Sequence, residues 1–202
     1  MYDKKTHLVS VLALVVFLGI GATWVITRAT EASQVMPAVI KQAPSFSLVS
    51  QHGEPFTKDS LLNKISVLDF IFTSCPGPCP IMSNNMRTLY NQYKLHPDLQ
   101  FISITVDPEY DSQEVLKIYA DANGVNDRRW KFLRADMEKV KKLSSDGFLL
   151  MSDNLPAGHS VKFVLIDGDG NIRQYYNGTD KASISILRNH INLFLKKLRS
   201  SV

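Results

Sequence analysis

The stretch "SVLDFIFTSCPGPCPIM", residues 66–82, joins a nearly continuous apolar run to a segment with two cysteines and three prolines. A short run of apolar, β-branched and aromatic residues is typical of a strand that is buried on both faces. Because proline lacks an N–H group and clashes with a preceding helical turn, Pro78 and Pro80 are tolerated only in or before the first turn of a helix. The stretch therefore predicts a buried strand at 66–73, a stiff loop from Cys75 to Cys79, and a helix directly after that loop.

Strand-like and helix-like segments alternate along the rest of the chain. Short segments rich in β-branched or aromatic residues predict strands at 45–49, 66–73, 99–106, 130–134, 161–167 and 172–177. Apolar residues at helical spacing predict helices at 81–95, 112–123, 136–145 and 184–198. This alternation predicts a largely parallel sheet, and "IDGDGNIRQ" (166–174) adds a hairpin. The expected fold is α/β, a mixed sheet flanked by helices, in one domain over residues 44–202.

The N-terminal region differs from the rest of the chain in composition. Residues 8–26, "LVSVLALVVFLGIGATWVI", contain no charged residue, and a helix of this length nearly crosses the hydrocarbon core of a bilayer, about 30 Å. Lysines precede the run and only Arg28 lies close behind it, which places the N-terminus in the cytoplasm. The sequence predicts an uncleaved membrane anchor (1–28), a linker (29–43) and an exported domain; a cleaved signal peptide is the alternative.

The charge pattern of the chain argues against a nucleic-acid-binding protein. The 202 residues carry a formal net charge of only +4, and no run of basic residues is present. A nucleic-acid surface usually shows clustered lysine and arginine residues. We therefore expect no nucleic-acid partner.

Cys75 and Cys79 are the only cysteines of the chain and are the first candidates for its chemistry. The free amides at a helix N-terminus favour the thiolate, which is both the nucleophile and the metal ligand. Two thiolates are too few for a closed zinc site, whereas soft sulfur favours Cu(I) completed by a third ligand. A redox pair and a structural disulfide are the alternatives, and the spacing alone does not separate these uses.

Histidine is the expected third donor, and the chain has five histidines. His159 lies in "LPAGHS", directly before the strand predicted at 161–167. A loop that enters one strand can lie beside the loop that leaves its antiparallel neighbour. The remaining histidines fall in the anchor, a turn and two helices: His7, His52, His96 and His190. Since a loop histidine is more often solvated than bound to metal, the residues alone leave His159 as a candidate.

Three motifs, taken in order, resemble those of the Sco (SenC) family of copper-binding proteins that assist assembly of cytochrome c oxidase. They are "FTSCPGPCP" (72–80), "ITVDPEYDS" (104–112) and "GHSVKFVLIDGDG" (158–170), and the resemblance extends over about residues 40–200. It implies a thioredoxin-like fold with an added hairpin and one N-terminal transmembrane helix. It also implies that copper, as Cu(I) and also as Cu(II), is bound by Cys75, Cys79 and His159.

The resemblance implies a membrane-anchored copper metallochaperone that serves the dinuclear copper site of cytochrome c oxidase subunit II. The alternative is a thiol-disulfide oxidoreductase, in which Cys75 and Cys79 are catalytic and reduce the cysteines of that site or of another exported partner. The implied location is the bacterial inner membrane with the domain in the periplasm, or the mitochondrial inner membrane facing the intermembrane space. Many family members carry an acidic residue between the cysteines, whereas this chain has Gly77 and Pro78.

Two acidic residues and two methionines complete the set of candidates. Asp111 is followed by Glu114 at the spacing of a capping box, which predicts that Asp111 caps a helix. Asp107, at the end of a predicted strand, is a candidate for a role near the metal site. Met82 and Met86 lie at helical spacing after the cysteines, and we expect them to pack in the core rather than bind copper.

Overall fold

The computed structural model describes residues 4–150, 155–156 and 158–200. The chain divides into two compact units that meet in sequence between Met36 and Pro37. The first unit contains one helix, α1 (Lys4–Gln34). Across the described ranges, no helix combines the length and the hydropathy that a bilayer crossing requires. The membrane span predicted at residues 8–26 is not confirmed.

The second unit is built on an eight-stranded mixed sheet. Its strands are β1 (Lys41–Gln42), β2 (Ser47–Ser50), β3 (Pro55–Thr57), β4 (Ile65–Ile71), β5 (Leu99–Thr105), β6 (Trp130–Arg134), β7 (Lys162–Ile166) and β8 (Asn171–Asn177). Their order across the sheet is β1-β8-β7-β4-β5-β6-β2-β3. β5 pairs in parallel with both β4 and β6, and the other pairs are antiparallel. The predicted mixed sheet and the β7–β8 hairpin are confirmed. The prediction that the sheet is largely parallel is wrong: among the described strands only two of the seven pairs are parallel, because β7 and β2 join the central strands in antiparallel orientation.

Within the described part of this second unit there are four α-helices and one short 3-10 helix (Lys58–Leu61). The α-helices are α2 (Cys79–Gln92), α3 (Gln113–Ala122), α4 (Met137–Lys142) and α5 (Lys181–Ser200), and α4 continues into one π-helical turn (Leu143–Gly147). Each lies where the sequence predicts a helix, although α2 begins at Cys79 rather than at residue 81. Pro78 is its N-cap residue, with φ −74° and ψ −24°. Pro80 lies in the first turn, where an N–H group would have no acceptor within the helix, so the missing N–H of proline costs no helical hydrogen bond. Cys79 is therefore the first residue of the helix and not the last residue of the loop.

The central strands form the core of the domain. All seven residues of β4 and all seven of β5 are buried, because both faces of these strands are covered. Met82 and Met86 on α2 are fully buried as well, which confirms their predicted packing in the core. The rigid centre of the sheet thus ends directly at the loop that carries the cysteines.

Candidate metal centre

The two cysteines lie at the carboxyl end of β4, one in the loop and one on α2. Cys75 lies in the loop, where its N–H donates to the Phe72 carbonyl oxygen at 3.3 Å. Cys79 opens α2 and is 1% exposed, whereas Cys75 is 9% exposed. Both are free thiols in this structure. The buried strand and the proline-capped helix therefore hold the two sulfurs from opposite ends of one short segment.

His159 reaches this segment through the pairing of β7 with β4. The two strands are antiparallel, with Ser66 opposite Ile166 and Leu68 opposite Val164. The residues that precede β7 consequently lie beside those that follow β4, as the sequence predicts for antiparallel neighbours. The His159 ring packs edge-on against Phe72 with 5.4 Å between ring centroids, and its Nε2 atom lies 3.2 Å from the Cys79 sulfur.

One donor atom from each of these three residues completes a compact group. The sulfurs of Cys75 and Cys79 and a ring nitrogen of His159 all lie within 4.8 Å of one another. No other group of three or more histidine, cysteine, aspartate or glutamate donors comes together among the residues with described positions. Two sulfurs and one imidazole form a soft donor set, which suits Cu(I) better than a hard cation such as Mg²⁺ or Ca²⁺. The residues present therefore fit a copper ion.

A hydrogen bond at the other ring nitrogen of His159 sets the tautomer and orientation of the imidazole. The Nδ1 atom lies 3.3 Å from the Ser160 carbonyl oxygen, a distance at which an Nδ1–H group donates to that oxygen. This tautomer leaves the Nε2 lone pair directed at the site. Burial lowers the pKa of His159, opposed in part by hydrogen bonding to the backbone of Ser160 and Phe70. The imidazole is thus held neutral, the form that binds metal.

The pKa of the Cys79 thiol is raised, whereas a position at a helix N-terminus is expected to lower it. Burial is the main reason that its pKa rises to about 12, and the nearby Cys75 and Asp69 raise it further. The backbone of Phe72 opposes this rise only in part. The prediction that the helix terminus favours the thiolate is therefore wrong for Cys79 without a metal ion, because desolvation outweighs the helix dipole. A bound cation would supply the positive charge that favours loss of this proton.

The structure corrects the predicted role of Asp111. The N-cap residue of α3 is Ser112, whose hydroxyl accepts the Val115 N–H at 3.2 Å. Asp111 lies one residue before the cap and is fully buried. Its carboxylate accepts the N–H and the hydroxyl of Thr73 and also the hydroxyl of Thr105. The capping prediction is wrong because the helix begins one residue later than the capping-box pattern indicates.

Among the described side chains, Asp107, His52, His96 and His190 take no part in the group of three donors. The Asp107 N–H donates to the Thr105 hydroxyl at 3.0 Å, and its carbonyl oxygen accepts the Asp111 N–H at 2.8 Å. His190 is buried and hydrogen-bonded to the Tyr176 hydroxyl, whereas His52 is exposed in a turn. The side chain of His7 lies outside the described residues.

Asp69 is a buried carboxyl beside the site, and it is absent from the candidates predicted from the sequence. It lies on β4, is fully buried, and neither of its oxygens forms a hydrogen bond of good geometry within the described part of the chain. Burial raises its pKa to about 7, and the Ser103 hydroxyl on β5 opposes this rise. The signal in the sequence is that Asp69 is the one charged residue of the largely apolar "SVLDFIFT" segment.

Known proteins similar to this chain belong to the family that the sequence motifs resemble. The SCO1/SenC family model matches residues 36–192. A protein of Bacillus subtilis (strain 168) named SCO1 protein homolog is 27% identical over 167 residues, which cover 79% of this chain and 86% of that protein.

Two solved structures extend this comparison to the fold. A SCO1/SenC family lipoprotein from Bacillus anthracis str. Ames superposes with a TM-score of 0.70 at 28% identity, covering 82% of this chain and 98% of that chain. Yeast Sco1 with copper bound gives a TM-score of 0.60 at 25% identity, covering 75% of this chain and 89% of that chain. The mixed α/β, thioredoxin-like architecture expected from the resemblance is confirmed. Because the family match spans well over half of the sequence, the chain belongs to the SCO1/SenC family.

Proposed function

We propose that the protein is a copper metallochaperone that binds one Cu(I) ion through Cys75, Cys79 and His159. The observation that carries the proposal is the placement of two soft sulfur atoms and one imidazole nitrogen within 4.8 Å of one another. Such a set can form a trigonal Cu(I) site once the thiols lose their protons. Copper binding in the yeast relative, at 25% identity, supports the same assignment.

The exposure of the two cysteine residues supports a direction for the proposed release of copper. Cys75 is 9% exposed and Cys79 is 1% exposed, so an incoming ligand reaches the metal more easily from the Cys75 side. A thiolate of the recipient binds the copper, Cys75 is displaced as the first leaving ligand, and the other two donors follow. The copper keeps its oxidation state throughout, because each step exchanges one ligand for another. The recipient that family membership implies is the dinuclear copper site of cytochrome c oxidase subunit II.

The proposed setting is an exported domain tethered to a membrane by the N-terminal segment. The uncharged run at residues 8–26, with lysines before it, is the feature that supports this arrangement. The corresponding locations are the periplasmic face of a bacterial inner membrane and the intermembrane-space face of the mitochondrial inner membrane. Protease treatment of intact spheroplasts or mitoplasts, followed by sedimentation of membranes at alkaline pH, tests both the side and the tether.

A second candidate function is reduction of a partner disulfide, and the proximity of two free thiols favours it. The Cys75 thiolate would attack one sulfur of the partner disulfide and release the other as a thiolate. Cys79 would then attack the Cys75 sulfur of the mixed disulfide, which forms a Cys75–Cys79 disulfide and releases the reduced partner. Two electrons pass to the partner, and His159 is placed to take the proton of Cys79.

Two measurements on the full chain separate the candidates. The metallochaperone proposal expects near-stoichiometric Cu(I) after anaerobic loading, followed by transfer to a reduced dithiol acceptor without a change in thiol count. The reductase proposal expects loss of two thiols from the protein for each partner disulfide reduced. The reduction potential of the Cys75–Cys79 pair then decides whether a cellular dithiol can regenerate it. Failure to retain Cu(I) against a competing chelator would refute the metallochaperone proposal.

A further inference from the structure

The side chain of Asp111 is hydrogen-bonded to two residues that are far apart in sequence, Thr73 and Thr105. Its fully buried carboxylate accepts the Thr73 N–H at 3.2 Å and also the Thr73 hydroxyl. The Thr105 hydroxyl, at the end of β5, donates to the same carboxylate. The carboxylate thus receives three donors from the carboxyl ends of two central strands. Such hydrogen bonds to a buried charge are stronger than those between neutral groups.

Thr73 lies in the segment between β4 and Cys75, next to a residue that contacts the whole site. Phe72 accepts the Cys75 N–H through its carbonyl oxygen, and its ring packs against His159. The Phe72 backbone also lies within hydrogen-bonding reach of the Cys79 thiol, where it lowers the pKa of that group. Phe72 is therefore the common neighbour of all three proposed ligands, and Asp111 fixes the peptide that immediately follows it.

The turn that carries Asp111 is itself closed and bound to the sheet. The Asp111 N–H donates to the Asp107 carbonyl oxygen at 2.8 Å, and the Asp107 N–H donates to the Thr105 hydroxyl at 3.0 Å. The Val106 N–H donates to the Ile71 carbonyl oxygen at 2.8 Å, joining the end of β5 to the end of β4. The carboxylate is thus held on a rigid support, as positioning of metal ligands requires.

We propose that Asp111 is a positioning residue of the copper site, acting through Thr73 and Phe72 on the cysteine loop and His159. Asp111 itself is not a ligand. The inference rests on the proposed function, since it concerns the geometry of the copper ligands. It assigns to "ITVDPEYDS" the task of holding the loop in which Cys75 lies, and it assigns the same task to the Thr73 hydroxyl of "FTSCPGPCP".

Two variants of the full chain test the inference against a matched control. Asp111→Asn removes the charge and one acceptor oxygen, whereas Thr73→Val removes only the hydroxyl donor and preserves the shape of the side chain. The control is Tyr90→Phe, which deletes the hydroxyl that donates to Asn126 at 2.9 Å. Tyr90 lies eleven residues after Cys79 on α2, or about 16 Å along the helix axis.

Three quantities are measured for each folded variant: thermal stability, Cu(I) affinity by chelator competition, and the absorption of the Cu(II)-loaded form in the thiolate charge-transfer region. We expect Asp111→Asn to weaken Cu(I) binding by about 10-fold to 100-fold, the range known for groups that orient metal ligands. Thr73→Val weakens it in the same direction by a smaller factor, and both variants shift the charge-transfer band. Tyr90→Phe lowers stability without changing either copper property.

The outcomes separate a positioning role from a structural one. If the folded Asp111→Asn and Thr73→Val variants bind Cu(I) as tightly as the wild type and leave the band unchanged, the inference is overturned while the proposed function stands. If the wild-type chain does not bind Cu(I), the proposed function fails and the inference fails with it. Hydrogen exchange of the Thr73 amide in the metal-free chain gives an independent check. Faster exchange in Asp111→Asn supports the hydrogen bond, and unchanged exchange contradicts it.

Discussion

The Nε2 atom of His159 lies 3.2 Å from the Cys79 sulfur, although eighty positions separate the two residues in sequence. The antiparallel pairing of β4 with β7 brings them together, since the loop after one strand lies beside the loop before the other. The His159 Nδ1 atom lies 3.3 Å from the Ser160 carbonyl oxygen, so the backbone orients the ring while Nε2 faces the sulfur. This contact is a basis of our proposal that both groups bind one metal ion.

The first prediction concerns the contribution of His159. Replacing it with alanine leaves two thiolates and removes the third donor, so we expect Cu(I) affinity to fall by at least about tenfold. Chelator competition on the reduced full chain measures this change. His52→Ala is the matched control, because His52 is exposed in a turn and lies outside the group of three donors. Equal affinity in His159→Ala and the wild type would remove the histidine from the site.

The second prediction concerns the two sulfurs. Cys75→Ser and Cys79→Ser each replace a soft ligand with a hydroxyl, which binds Cu(I) poorly, so each should lose near-stoichiometric copper. Cys79 is the more deeply buried, so its serine variant places a polar hydroxyl in an apolar position and should also be less stable. Copper content after gel filtration and thermal melting test the two effects separately. Full copper retention by either variant would contradict the two-thiolate site.

The third prediction is a pH dependence of stability that originates in Asp69. Its pKa is raised from 3.8 to about 7 by burial, so the folded state holds this proton more tightly than the unfolded state. Below pH 3.8 both states are protonated at this carboxyl and its contribution does not vary. As pH rises from about 4 to about 7 the unfolded state releases the proton first, and folding stability falls. Above pH 7 the loss levels off, at most on the order of 4 kcal/mol.

Urea unfolding of wild type and Asp69→Asn at pH 5 and pH 8 checks this prediction. The wild type should lose stability between the two pH values by more than the variant, whatever the absolute stability of the variant. Asp169→Asn, in an exposed turn, is the control and should retain the full dependence of the wild type. Identical pH dependence in all three proteins would show that the Asp69 carboxyl titrates as it does in the unfolded chain.

The fourth prediction concerns the buried pair Arg173–Asp167. The guanidinium contacts the Asp167 carboxylate at 2.8 Å, donates to the Pro37 carbonyl oxygen, and lies over the Phe194 ring with 4.8 Å to its centroid. Arg173→Ala leaves a carboxylate that is buried without its ion-pair partner, which should destabilise the domain by about 3–5 kcal/mol.

Denaturant unfolding and Cu(I) titration of the same Arg173→Ala preparation test this prediction. The folded fraction should bind copper with unchanged affinity, because none of the groups that Arg173 contacts belongs to the group of three donors. The double variant Arg173→Ala/Asp167→Asn keeps a side-chain oxygen that can accept the Asp169 and Asn171 N–H groups, so it separates loss of the ion pair from burial of an unpaired carboxylate. It should recover part of the stability, and a double variant as unstable as Arg173→Ala would contradict that assignment.

The strand and helix predictions succeed where one physical constraint dominates. The apolar run of β4 and the prolines around Cys79 leave few alternatives, and the predicted strand and helix both occur there. β1 and β3 are missed because strands of two and three residues are too short to show an alternating pattern. These two strands form because β1 pairs with β8 and β3 pairs with β2, and the residues of such short strands do not by themselves predict the pairing.

At the candidate site, too, the sequence predicts what depends on neighbouring residues and misses what depends on residues far apart in the chain. Cys75 and Cys79 are apparent from the sequence, and the antiparallel-neighbour argument is enough to make His159 a candidate. The pKa of Cys79 could not be predicted, since it depends on burial by the whole fold rather than on the helix terminus alone. Asp111 was misassigned because its local pattern matches a cap, whereas its actual partners are Thr73 and Thr105.

The most direct test of the copper assignment is an anaerobic competition between the reduced full chain and a chromophoric Cu(I) chelator. We expect the wild type to retain one Cu(I) per chain at chelator concentrations that strip copper from Cys75→Ser, Cys79→Ser and, at intermediate concentrations, His159→Ala. Retention of no copper by the wild type, or equal retention by the wild type and the double variant Cys75→Ser/Cys79→Ser, would contradict the copper assignment.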